Sequence, residues 1–351
     1  MAKKSMSSLK QLLGIDLPII QAPMAGVQGS ALTVAVSNAG GLGSLPAAML
    51  DLTALAGELR TITAQINRPY NVNFFCHTTA APDAMREARW REVLAPYYTE
   101  FGIDPATISA GGSRMPFTDD VADVLEAFRP PVLSFHFGLP AASLLARVKS
   151  WGSKILSSAT TVEEALWLEA RGVDAVIAQG LEAGGHRALF LTSDLTTQVG
   201  TMALLPQLVR ALRIPDIASG GIADAQGVRA ALTLGAAGVQ AGTAYMLCPE
   251  ATTSPLHRAA LKSDRGRHTA LTNLITGRPA RGIFNRLMRE LGPLSDAPPA
   301  FPMATAALAP LKAAAEKIGR DDFSTLWSGQ NTSGCREIPA AELTRLLAVH
   351  T

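Results

Sequence analysis

The amino-acid sequence predicts a (β/α)8 barrel with a helical cap. Three observations carry the prediction. Eight short apolar segments across residues 17–241 have the composition of strands buried on both faces. Helical segments separate them, as short crossovers everywhere except between the third and fourth, and that alternation specifies parallel pairing. Two stretches are left over, residues 76–130 and 251–351, with more helix than a crossover needs. A doubly wound open sheet competes, but it rarely needs eight equivalent crossovers. The expected division is a barrel from 1–75 and 131–250. The other two segments form a cap over the barrel mouth, the end from which active-site insertions grow.

Residues 17–21 (LPIIQ) form the first strand, stopped by Pro23 and followed by the glycine-containing turn APMAGVQG. A helix over 32–38 leads to a second, glycine-weakened strand at 40–45 (GGLGSL). The spacing of Leu52, Leu55, Leu59 and Ile62 predicts a helix over 51–66 with Asp51 as its N-cap. The third strand is 70–75 (YNVNFF). Residues 76–130, punctuated by Gly111, Gly112 and Pro116, interrupt the rhythm as an insertion. It resumes with a strand at 132–137 (VLSFHF), a helix at 140–150 and a strand at 154–158 (KILSS). Thr161 and Glu164 have capping-box spacing at the start of VEEALWLEARG, and Gly172 ends that helix. Strand six is 174–178; a helix at 202–212, a strand at 215–219 (PDIAS), a helix at 225–234 and a strand at 237–241 (AGVQA) complete eight units.

Composition narrows the class. With 48% hydrophobic and 17% charged residues in 351, a large core is available and disorder is not. A net charge of +2 is too balanced for a nucleic-acid surface. Cys76, Cys248 and Cys335 are odd in number and lack CxxC spacing, so neither a disulfide framework nor a zinc or other metal site is indicated. The start, MAKKSMSSLKQLLGIDLP, is basic, but Lys10 and Asp16 interrupt its apolar stretch before a signal core can form. No apolar run is long enough to span a membrane. The expectation is a soluble, cytoplasmic enzyme working on small molecules.

The chemistry centres on residues 174–187, DAVIAQGLEAGGHR. A buried strand breaks at Gly180 and again at Gly184 and Gly185, letting backbone approach a ligand, and His186 follows at once. Strand seven ends Ser219-Gly220-Gly221 and strand eight ends Gln240-Ala241-Gly242-Thr243, where barrels usually bind phosphate. Glycines there let backbone N–H groups converge on an anion, and Thr243 adds a hydroxyl. Each loop alone could be a tight turn; two adjacent ones favour a phosphorylated ligand. No GxGxxG opens a helix after the first strand, so a Rossmann nicotinamide site is absent. One phosphate clamp on an apolar lumen points to flavin mononucleotide (FMN). Ala22, Pro23 and Met24 can then face its ring, and Asn73 and Gln179 carry amides suited to the ring's polar edge.

Of six histidines, His257, His268 and His350 lie in polar helical or terminal surroundings and read as surface residues. His77 falls in the insertion and is left open. His136, between Phe135 and Phe137, is either a satisfied core histidine or a second residue facing substrate. His186, freed by two glycines at a strand end, is the candidate catalytic residue.

These residues resemble the nitronate monooxygenase family, formerly 2-nitropropane dioxygenases, and its bacterial class I members. The likeness runs through QAPMAG at 21–26, NVNFF at 71–75, SFHFG at 134–138, AQGLEAGGHR at 178–187, ASGGIAD at 218–224 and GVQAGTAYMLCPEA at 238–251. The resemblance implies an FMN enzyme that oxidises alkyl nitronates, propionate 3-nitronate among them, with O2. The products would be an aldehyde or ketone and nitrite or nitrate, formed by way of a flavin semiquinone. Its flavin contacts would fall on Met24, Asn73, Gln179, Gly184, Gly221 and residues 240–243, and its base on His186. An anionic nitronate would gain from a nearby imidazolium; the neutral ring could instead deprotonate a nitroalkane. Ala188 stands where the family often has glycine, and WSGQN at 327–331 resembles the family's tail without a derivable role. Flavin-type enoyl-acyl-carrier-protein and quinone reductases share much of the pattern. An FMN-dependent NAD(P)H reductase is therefore one alternative, and a flavin-binding protein without turnover is another.

Overall fold

The computed structural model describes residues 6–108 and 114–349. Its strands are β1 (Ile19–Gln21), β2 (Gly43–Pro46), β3 (Tyr70–Phe75), β4 (Val132–His136), β5 (Lys154–Ala159), β6 (Ala175–Gln179), β7 (Gly185–His186), β8 (Asp216–Ser219), β9 (Gly238–Ala241), β10 (Thr269–Thr272) and β11 (Ala280–Ile283). The helices are α1 (Met6–Leu13), α2 (Ser30–Asn38), α3 (Leu52–Gln65), α4 (Ala84–Phe101), α5 (Asp119–Glu126), α6 (Ala142–Ser150), α7 (Val162–Ala170), α8 (Thr201–Ala211), α9 (Ala225–Thr233), α10 (Pro255–Lys262), α11 (Arg286–Leu291), α12 (Ala304–Lys317) and α13 (Ala340–Leu347).

Eight parallel strands run in the order β1-β9-β8-β6-β5-β4-β3-β2. A parallel bridge between Ile20 and Leu42 joins the two ends, with Leu42 N donating to Ile19 O and Gln21 N to Leu42 O, both at 2.9 Å. The (β/α)8 expectation is met. Every residue of β1, β2, β3, β6, β8 and β9 is buried, as strands enclosed by helices outside and side chains inside must be. α1 closes the N-terminal end: Leu9, Leu13 and Ile15 pack on Val132, Leu156, Ala175 and Ile217. Asp51 caps α3, accepting from Ala54 N at 2.8 Å. Thr161 caps α7, but Glu164 does not complete a box with it. The buried Glu164 carboxylate accepts instead from Thr160 N and Oγ1 and, on its other oxygen, from Phe190 N.

Two helices correct the drawn division. α5 packs against α3 and α6, and α13 against α2 and α9, so both belong to the barrel wall. α13 is the eighth wall helix, reached only after a long excursion. The remaining segments meet as α4 lying along α12, around Trp90, Leu94, Tyr98, Leu308, Leu311 and Phe323. Trp90 Nε1 donates to Ala304 O at 3.2 Å and Tyr98 OH to Ala307 O at 2.7 Å. This layer is not all helical, because β10, β11 and β7 form a small antiparallel sheet in which His186 pairs with Ala280. Among the described residues no helix is long and apolar enough to cross a membrane.

Candidate active site

A cavity of about 510 Å³ lies where the strands end in their C-terminal loops. It is lined by Ala22, Pro23, Met24, Asn73, His136, Gln179, Gly184, Gly185, His186, Gly220, Gly221, Gln240, Ala241, Gly242 and Thr243. The structure thus brings the candidate flavin contacts, His136 and His186 to one chamber, whereas Gly180 does not line it.

At one end are the two glycine loops. Gly220 and Gly221 have φ of 120° and 71°, conformations that side chains resist. The backbone N–H groups of Gly221, Gly242 and Thr243 find no acceptor among the described residues, so they are free to meet an anion. Residues 327–331 cross over these loops and tie them down. Gly329 N donates to Thr243 Oγ1 at 2.9 Å, Asn331 Nδ2 to Gly221 O at 3.1 Å and Gln330 N to Glu182 O at 3.0 Å. That is the part played by WSGQN. Between the loops and the histidines, Gln240 Oε1 is buried without a partner, an acceptor waiting for a ligand donor. Across from it the first turn closes in, with Met24 Sδ 3.6 Å from where a Cβ on Gly242 would stand.

The two amides are more committed than their strand-end positions imply. Asn73 Nδ2 donates to Ser134 O and Oγ at 3.1 and 2.9 Å. Gln179 Nε2 donates to His186 O at 3.0 Å while its Oε1 accepts from Ala188 N at 2.9 Å. Gln179 therefore grips the histidine loop from below. Arg187, fully buried, grips it from the side: its guanidinium donates to Gly180 O, Gln179 O and Gln198 Oε1 at 2.8, 3.0 and 3.0 Å. His136 Nε2 donates to His186 O at 3.2 Å, which places it as a brace of the same loop.

The His186 ring sits among Phe75, Phe137, Phe301 and Trp327, with centroids 6.0, 6.0, 5.3 and 5.6 Å away. Its Nε2 lies 2.9 Å from Thr276 Oγ1, which is also within 3.2 Å of Arg278 O, an acceptor for the hydroxyl proton. With the Thr276 proton directed to Arg278 O, Thr276 accepts from the ring, and that assignment puts the imidazole proton on Nε2 and the lone pair on Nδ1. Burial, then the positive charge of Arg114, holds the His186 pKa well below its ordinary value. Burial likewise lowers His136 to about 3, and burial with the Arg278 charge lowers His77 to about 4. All three are neutral at pH 7. Of the two protonation states expected of His186, the neutral imidazole is the one this burial favours, and the positive charge nearby belongs to arginine.

His257 is also corrected. It is 2% exposed, lines the cavity, and burial pushes it down to about 4. His268 is exposed and stacks on Phe284 at 4.5 Å, as a surface residue can, and His350 lies outside the described residues. Arg114, Thr276 and the ring of Phe301 are site residues that the sequence reading missed. Each sits in a stretch without periodicity, contributed from the segments around the barrel.

Known proteins resemble this chain over nearly its whole length. The sequence pattern described as nitronate monooxygenase matches residues 6–349. The chain is 43% identical to the nitronate monooxygenase of Pseudomonas aeruginosa over 345 residues, 96% of this chain and 97% of that protein. It is 42% identical to the nitronate monooxygenase of Paraburkholderia phytofirmans, covering 96% of this chain and 92% of the other. The solved nitroalkane oxidase of Streptomyces ansochromogenes superposes with a TM-score of 0.87 at 37% identity, over 97% of each chain. FabK from Thermotoga maritima superposes with a TM-score of 0.69 at 25% identity, over 97% of this chain and 94% of that one. Alike over nearly its whole length in sequence and in barrel, this chain is an enzyme of the nitronate monooxygenase family, a family of oxidoreductases.

Proposed function

We propose that this enzyme binds FMN without a covalent bond and oxidises alkyl nitronates with O2 to a carbonyl product and nitrite or nitrate. The observation that carries the reading is the pair of glycine loops after β8 and β9, which line the chamber that also holds His186 and whose N–H groups find no acceptor among the described residues. One phosphate fits such a clamp, and no second nucleotide-binding fold accompanies it among the described residues. Thr243 and the N–H groups of Gly221 and Gly242 would hold the phosphate. Ala22, Pro23, Met24, Gly184 and Gly185 would line the ring, and Gln240 Oε1 would accept from its polar edge. Asn73 and Gln179, largely engaged by protein, would offer it their remaining lone pair or proton. When bound, the flavin supplies an electron acceptor that dioxygen can reoxidise.

The chain's residues do the rest. His186 Nδ1 takes the carbon-bound proton from a neutral nitroalkane; a nitronate has lost it already and needs no base. Thr276 keeps the opposite nitrogen protonated, so the lone pair stays at Nδ1. Gln179, Arg187 and His136 fix the loop that carries the ring. The aromatic walls and the layer of α4 and α12 exclude water, which strengthens polar interactions with a small anion inside.

The test is to mix purified protein with a nitronate, and separately with NADH, aerobically and anaerobically, while following the flavin spectrum. Oxygen uptake and nitrite release with nitronate are expected. Rapid flavin reduction by NADH with indifference to nitronate would replace this reading with a reductase.

A further inference from the structure

Gly180 is the one glycine of the 174–187 stretch that stays outside the chamber, and its surroundings show what it makes room for. A Cβ there would collide with the hydroxyl and the amide of Thr201, the first residue of α8. Thr201 is 5% exposed and does not line the chamber either. Its amide donates to both oxygens of the Glu182 carboxylate, at 3.0 and 2.8 Å, which satisfies a donor at the start of the helix. Its hydroxyl lies 2.8 Å from Glu182 Oε2 and 2.9 Å from Gly220 O. Ser219 O is farther, at 3.4 Å, and is already taken by Gly180 N at 2.9 Å. Both carboxylate oxygens already accept from Thr201 N, whereas Gly220 O has no other donor among the described residues. The hydroxyl proton is therefore assigned to Gly220 O.

Gly220 O belongs to the peptide group whose other end is the N–H of Gly221. In a trans peptide the C=O and the N–H point in opposite directions, so a hydroxyl that grips Gly220 O turns the Gly221 N–H away from Thr201. That N–H finds no acceptor among the described residues, and Gly220 and Gly221 line the chamber while Thr201 does not. The loop needs such a grip. With φ of 120° and 71°, both residues hold conformations that glycine enters readily, and without Cβ atoms little else stops the peptide between them from turning over. The next peptide is held separately, by Asn331 Nδ2 donating to Gly221 O at 3.1 Å.

We propose that Thr201 is a positioning residue for the phosphate clamp: acting through Gly220, it aims the Gly221 N–H at the phosphate of the bound flavin. The inference rests on the FMN reading above and adds a residue that does not itself touch the cofactor. A donor that is already aimed binds an anion without first being ordered, which is the advantage of a preformed site. Riboflavin, with the same ring and ribityl chain but no phosphate, gains nothing from that donor.

The test is a competition on the flavin-loaded enzyme. Holoenzyme is dialysed against mixtures of FMN and riboflavin, and the flavins it retains are released and separated by chromatography, which gives the ratio of the two affinities. Thr201→Val keeps the shape and loses the hydroxyl. It should lower the preference for FMN by about 10–10²-fold, the value of one hydrogen bond to a charged group. Thr201→Ser keeps the hydroxyl and should stay close to wild type. If the Val variant does not fold, Thr201→Ala, a better helix former, supplies the same comparison. General damage to the site would weaken both flavins and leave their ratio unchanged. A preference that survives loss of the hydroxyl, or that falls as far in Thr201→Ser as in Thr201→Val, would overturn the role of Thr201 and leave the phosphate clamp standing. Wild-type enzyme that retains riboflavin as readily as FMN would overturn the clamp and Thr201 together.

Discussion

Gly184 and Gly185 are adjacent, yet alanine should harm them by different means. A Cβ on Gly184 would stand 2.5 Å from both Ser328 C and Gly329 N, which are backbone atoms that cannot swing aside. Reaching an ordinary 3.4 Å contact means parting the two loops by about 1 Å. The same displacement would stretch Gly329 N to Thr243 Oγ1 from 2.9 Å, and Gln330 N to Glu182 O from 3.0 Å, beyond hydrogen-bonding range. Two lost bonds at about 1 kcal/mol each, with overpacking of about 1–3 kcal/mol, give a loss of about 3–5 kcal/mol. In a chain of this size that lowers Tm by about 4–7 °C. At Gly185 a Cβ meets nothing within 4 Å, but φ is 71°, so alanine costs only backbone strain of about 1–2 kcal/mol. Thermal melts and flavin retained after dialysis separate the two. Gly184→Ala should lose flavin and about 10²-fold in turnover, the scale of a 1 Å misplacement, whereas Gly185→Ala should chiefly affect the His186 strand. If Gly184→Ala melts no lower than Gly185→Ala and keeps its flavin, residues 327–331 do not hold the glycine loops together.

Other expectations follow from the same geometry. His186→Asn should lower nitroalkane turnover by about 10²–10⁴-fold while sparing much of the nitronate turnover, measured per bound flavin. Equal losses would make His186 an orienting group, and no loss for either would move attention to His136. Heat-released cofactor should chromatograph as FMN, and Gly242→Val, whose side chain must displace Met24, should reduce its retention; unchanged content would place the phosphate elsewhere. Stability should be full above about pH 6.5 and decline toward pH 4. In that window unfolded His77 and His257 bind protons that their folded forms, lowered to about 4, refuse. Melts from pH 8 to 4.5 should show a shallower decline in His257→Gln, and an identical slope would argue against a neutral buried His257.

Where side-chain period and punctuation act locally, the sequence was legible. All eight barrel strands and the Asp51 cap come from patterns within a few residues, and the glycine loops from their place after strands seven and eight. What escaped depends on distant partners. β7 is two residues long and exists because β11, almost a hundred residues on, pairs with it. Gln179 shows no sign in its own neighbourhood that the next loop will take both ends of its amide. Arg114 follows a Gly-Gly-Ser run with no pattern, and its place beside the cavity shows only when Thr305 arrives from α12. His257 lies in a polar-looking segment, PLHRAALK, whose buried face meets Leu326 and Trp327 from much later in the chain.

The late return of α13 has a consequence for how such a molecule can change. The layer above the barrel leaves the chain after β3 and rejoins it at α5, then leaves again after β9 and rejoins it at α13. Both detours are looped out of the connection between a strand and its own helix, and the β6–α8 connection lends β7 to the same layer, so the layer is moored at six crossings. It can lengthen, shrink or be replaced in descendants of this chain without reordering a single barrel strand. A truncation that removes the last dozen residues does something else: it strips a stave from the barrel wall, leaving α2 and α9 without the neighbour between them and Tyr245 without its Thr344 partner at 2.9 Å.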